Sequence, residues 1–194
     1  MALFIVSPPA IEPVSVPEVR RHLKLDSVAD DDLIAGLITS ARQHLEMILG
    51  QAFITQQWRD VRDGWPAART PVLLARGPLR SLDAVRVIDA DGVAEVIAAE
   101  NYLVDPISSP ARLVCASGEA WPRPGRTLNG IEIDFTAGFG SLADDVPGPL
   151  RQALLLLVTA WYEARHPVDF TPDMSGLPTP VAGLIAPYRL RCLA

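Results

Sequence analysis

Residues 146–166 read VPGPLRQALLLLVTAWYEARH, the most apolar helix candidate in the chain. Pro147 and Pro149 suit a helix start, where the missing N–H would have no partner in any case. Arg165 and His166 put positive charge in the last turn, and Pro167 forbids continuation. Leu154, Leu155, Leu156, Leu157 and Val158 are consecutive, and at about 100° per residue they sweep the whole circumference of a helix. Such a helix is buried on every side or crosses a membrane. The apolar run from Ala153 to Tyr162 falls far short of the roughly 20 residues a bilayer needs. Burial by protein is the expectation, with the core on one side and a neighbouring subunit over part of the other.

Upstream of this helix the texture is that of a sheet. Gly130 to Thr136 alternates Ile131, Ile133 and Phe135 with Glu132, Asp134 and Thr136, which predicts one buried and one wet face. Shorter strand-like runs are Phe53–Val61, Val72–Ala75, Ala84–Ile88 turning at Asp91-Gly92 into Val93–Ile97, Tyr102–Val104 and Arg112–Ala116. Their spacing predicts a small antiparallel sandwich or barrel. Two helices precede them. Ser15-Val16-Pro17-Glu18 is a capping box opening a short helix to about Leu23. From Asp31 to Leu49 the apolar residues keep helical spacing, Gly50 ends the run, and Ser27, Asp30 or Asp31 is suited to cap it.

Downstream, residues 167–194 hold five prolines between Pro167 and Pro187 and show no helical period, yet they carry Phe170, Met174, Leu177, Leu184, Ile185, Tyr188 and Leu190. A stiff, extended, apolar segment suits a partner surface, or it packs back on its own domain. The fold class predicted is α+β. Two N-terminal helices and a long apolar third helix form a helical body (1–52 and 138–166), an antiparallel β insertion (53–137) lies between helices two and three, and 167–194 is an extended C-terminal tail.

The 194 residues carry a net charge of -6 with no Lys or Arg run, which argues against a surface that grips polyanions. Of 17 basic residues only Lys24 is lysine. Cys115 and Cys192 make no disulfide framework, and MALFIVS is short and lacks a basic flank, so no secretory leader or membrane span is expected. Catalytic patterns are thin. His22, His44 and His166 sit at helix ends or faces outside any metal spacing, and Asp30, Asp31 and Asp32 lack the rest of a calcium loop. Gly138-Phe139-Gly140-Ser141-Leu142-Ala143 fits a dinucleotide fingerprint after a strand and before a helix, but no parallel strand with an acidic end can follow in a proline-rich tail. A tight turn is the better reading. No catalytic residue, cofactor or metal is expected.

The helix leading into HLKLD, then DDDLIAGLITSARQHLE, the strand IEIDFTAGFG, DDVPGPLRQALLLLVTAWYEAR and the terminal APYRLR together resemble the head–tail connector, or adaptor, proteins of long-tailed phages and gene transfer agents. The resemblance spans nearly the whole chain and is one of organisation, since none of its blocks is catalytic. It implies a structural, non-enzymatic protein of the virion's head–tail junction, made in the bacterial host cytoplasm. It also implies a homo-oligomeric ring, generally dodecameric, seated on the portal protein at the capsid vertex. That ring would join the portal to a stopper or tail-completion protein and leave a channel through which DNA passes as cargo. Carried onto this chain, Leu154, Leu155, Leu156, Leu157, Val158, Trp161 and Tyr162 would form the subunit interface, and Pro187, Tyr188, Arg189, Leu190 and Arg191 would reach the portal. A soluble binding module, or an enzyme using the Gly138–Ala143 turn, are the alternatives.

Overall fold

A computed structural model describes residues 1–67, 70–116, 120–164 and 177–189. In chain order they form β1 (Ala2–Ser7), α1 (Val16–Leu23), α2 (Asp31–Leu49), β2 (Gln56–Arg62), β3 (Val72–Leu73), β4 (Leu79–Ile88), β5 (Ala94–Val96), β6 (Tyr102–Asp105), β7 (Arg112–Cys115), β8 (Ile131–Ala137), α3 (Gly148–Glu163) and α4 (Thr179–Ile185). Short 3-10 turns lie at Ala143–Asp145 and Ala186–Tyr188. Two units result: Met1–Pro9 with Thr55–Gly138, and Ala10–Ile54 with Phe139–Arg189.

In the helical unit the local signals act as their chemistry requires. The Ser15 Oγ accepts from the Glu18 N–H while the Ser15 N–H donates to Glu18 Oε2 at 2.7 Å, the reciprocal cap that starts α1. Gly50 closes α2 in the left-handed region at φ 66°. Asp30 precedes α2 but does not cap it, because its carboxylate accepts the hydroxyl of Tyr162 on α3. Ile34, Ile38, Ala41, Leu45 and Leu49 of α2 pack with Leu150, Ala153, Leu154, Leu157 and Val158 of α3 in one core.

The mixed α and β character and the antiparallel pairing match expectation; two features of the helical body do not. Helix α3 has 16 residues against 19 in α2, so it is not the long element, and it has a wetter side. Its fully buried residues follow an i, i+3, i+4, i+7 stripe, Gln152 is exposed, and Leu155 and Leu156 are half-buried. Five apolar residues in a row do cover all directions, but this unit packs only one of them. The second correction is a fourth helix where an extended tail was expected. Pro178 sits at the N-cap of α4 and Pro180 in its first turn, positions where proline costs no hydrogen bond. Leu177, Val181 and Ile185 then recur at helical spacing and are buried in the same core, next to α3. The 3-10 turn after α4 is pinned where the Gln51 side-chain amide donates to the Tyr188 carbonyl at 2.8 Å.

In the other unit a five-stranded sheet runs β1-β2-β8-β4-β5 and a three-stranded one β3-β7-β6, every neighbouring pair antiparallel. Strand β8 lies at the centre of the larger sheet, with Ile131, Ile133, Phe135 and Ala137 buried and Glu132, Asp134 and Thr136 half-exposed. Strand β1 was not foreseen. Its residues ALFIVS show no alternation because almost all of them are exposed at the sheet's edge.

Candidate assembly surfaces

The residues expected to form a subunit interface divide by burial. Leu154, Leu157 and Val158 are fully enclosed in the core of their own unit, so they offer a neighbour no surface. Leu155, Leu156, Trp161 and Tyr162 are partly exposed at the rim of that core. Trp161 tilts against the His44 ring at 5.8 Å between centroids, which joins the ends of α2 and α3 into one aromatic ridge. Of the tail residues, Pro187 and Arg189 are exposed and Tyr188 is half-buried; Leu190 and Arg191 lie outside the described residues, as do Arg165 and His166.

The glycine-rich segment is a turn with its own occupant. Gly138 has φ 144°, a conformation side chains rarely adopt. A Cβ on Gly140 would fall 2.1 Å from Asp145 Oδ2. That same oxygen accepts the Leu142 N–H at 2.9 Å. The space a phosphate would need is therefore filled by a carboxylate, which also repels an anion. Helix α3 begins only at Gly148, beyond the 3-10 turn, so these glycines do not open a helix. Asp31 pairs with Arg20 at 3.1 Å, and among the described residues no group of three His, Cys, Asp or Glu side chains could hold a metal ion. No described helix is long and apolar enough to cross a membrane.

What sequence reasoning missed is a set of rigid charge networks. Arg42 is buried and donates to Glu12 Oε2 at 2.6 Å and to Glu46 Oε2 at 2.9 Å, while Glu46 Oε1 accepts the Phe53 N–H at 2.7 Å. Burial works against the guanidinium charge, and the two carboxylates outweigh it, raising Arg42 above its ordinary value. Arg151 on α3 ties together Pro13 O, Glu18 and Asp144. On the wet face of β8, Asp134 accepts from Arg59 of β2 at 2.6 Å and from Arg86 of β4 at 2.6 Å. Burial pushes the Asp134 carboxyl up, but those hydrogen bonds and charges prevail and hold it below its usual range. The Arg42–Glu46 pair at i, i+4 was readable in the sequence; partners many residues apart were not.

Apolar exposure concentrates at strand edges and loop tips. Phe4, Ile5 and Val6 on β1, Val93 and Val96 at β5, and Ile107 after β6 all face outward. Asp105 holds the last of these loops, accepting from the N–H groups of Ile107 and Ser108, from the Ser108 hydroxyl and from Arg112.

No known family profile matches the chain, and no curated protein does. Solved structures do. A chain in the neck of an empty gene transfer agent (GTA) particle, computed with C6 symmetry, superposes with a TM-score of 0.85 at 28% identity, covering 100% of this chain and 98% of that one. The chain has the fold of a GTA neck chain. A chain of the virion of a native GTA particle gives 0.83 at 29% identity, and one in the neck of a native GTA particle, computed with C12 symmetry, gives 0.76 at 28%, each with the same coverage of 100% and 98%. The likeness to the GTA chains takes in the helices and the sheets alike. At that identity most positions differ, so it carries the fold and leaves the role of individual residues to be tested.

Proposed function

We propose that this chain is the head–tail adaptor of a gene transfer agent or related phage-like particle. In this reading it is a non-enzymatic structural subunit that forms a ring on the portal, joins the capsid to the stopper or tail, and leaves a channel for DNA. The observation that carries it is the end-to-end match to GTA neck chains, with neither chain left with an unmatched domain. Two of those necks were computed with C6 and C12 symmetry, which is what a ring of repeated subunits would support. The net charge of -6 suits a channel past which DNA slides without being held. Leu155, Leu156, Trp161 and Tyr162 serve as the neighbour-facing ridge of the helical unit, and residues 187–191 reach the portal.

Deleting the gene from a producing cell tests this. The expected result is DNA-filled or leaking heads without tails, restored by the full-length chain supplied in trans. Normal tailed particles from the deletion strain would contradict the adaptor reading.

A further inference from the structure

Among the described residues the five-stranded sheet has two free edges of different kinds. Strand β1 forms one, and over Ala2–Ser7 it carries no charged side chain and no proline, although its register with β2 shifts between Ile5 and Ser7. Phe4, Ile5 and Val6 are 48%, 38% and 52% exposed, so apolar groups stand open on both faces of a strand that pairs, among the described residues, on one side only. Edges meant to stay solitary are normally guarded by Lys, Pro or a sharp bulge, because a bare edge recruits another strand. At the opposite edge, all of Ala94–Val96 in β5 is exposed, flanked by Val93 at 62% and including Val96 at 61%.

We infer that β1 of one copy pairs with β5 of the next copy, so that the sheets join edge to edge around the ring. The inference rests on the ring reading given above. A closed ring needs a heterologous contact, one surface meeting a different surface on its neighbour. Two opposite edges of one sheet meet that condition, whereas β1 against β1 would give a two-fold dimer that cannot propagate. Strand direction agrees. Four antiparallel steps separate β1 from β5, so the two strands run the same way within a copy. Copies related by a small rotation then bring β5 and the next β1 together as a parallel pair, whose hydrogen bonds are evenly spaced. Phe4 and Val6 of the incoming strand would lie beside Ala94 and Val96 on one face, removing from water apolar groups that the isolated chain leaves exposed.

Thiol cross-linking inside assembled particles tests the contact. In a Cys115→Ser, Cys192→Ser background, the pair Phe4→Cys and Ala94→Cys is treated with a short bismaleimide, which does not demand one register. A ladder of covalent multimers climbing to the full ring is expected from the double variant, and only monomer from either single variant. The pair Val6→Cys and Val96→Cys repeats the experiment in case the first disturbs β1. Particles that contain the chain in their necks but yield no ladder from either pair overturn this inference and leave the adaptor reading standing. A covalent dimer from Phe4→Cys alone overturns it in favour of two-fold pairing. Particles that assemble without the chain overturn both.

Discussion

Leu154 and Leu155 are adjacent and chemically identical, yet one is sealed in the core and the other half-open on its rim. Leu154→Ala should therefore cost about 2–5 kcal/mol through lost burial and a residual cavity. Leu155→Ala should cost clearly less in the isolated chain and show its effect in assembly. Denaturant melts of the two variants check this, and equal losses would mean that α3 is enclosed on both sides within one copy. Asp134 gives a second residue-scale test. Its folded-state pKa is lowered by Arg59 and Arg86, so its contribution to stability is present in full above the unfolded value near 4 and is lost as pH falls through the folded value. Asp134→Asn removes that contribution at every pH. The stability gap between wild type and variant should be widest at neutral pH and narrow as the pH falls below the unfolded value near 4, whereas a constant gap in urea melts would deny the charge pairing.

At the scale of elements, legibility followed how locally the signal is written. Helices α1 and α2 were readable to their ends because Ser15, Glu18 and Gly50 act within one turn of the backbone they cap. Strand β8 was readable because a central strand with one wet face must alternate. Strand β1 was not, since an edge strand exposed on both faces has no alternation to show. Helix α4 was missed for a different reason. Five prolines in the tail argue against regular structure, yet Pro178 and Pro180 stand where prolines start helices, as Pro147 and Pro149 do for α3. The spacing Leu177, Val181, Ile185 was there to be read. The consequence is that this part of the tail packs back on its own unit. Ile185→Ala should cost about 2–5 kcal/mol, and removal of Thr179–Ala194 should lower the melting temperature markedly, by opening the core around α3. A truncated chain that melts like the full one in calorimetry would put α4 outside the core.

For the whole molecule, ion networks brace each of the two units from within. Arg42, Arg59, Arg86 and Arg151 are all engaged in holding helices or strands to one another. The apolar groups left open lie at the rim of α3, at the sheet edges and at Ile107 on its braced loop. Interface identity was the part least legible in the sequence, because a leucine that faces a core and one that faces another copy look alike until burial separates them. Whether this chain forms the ring between portal and tail is read from an electron cryomicroscopy reconstruction of the neck of particles from a producing strain, at a detail that identifies side chains. A closed ring of this chain seated on the portal is expected, with the helical and sheet units of every copy in density; a portal-bound ring built from a different chain would overturn the adaptor reading.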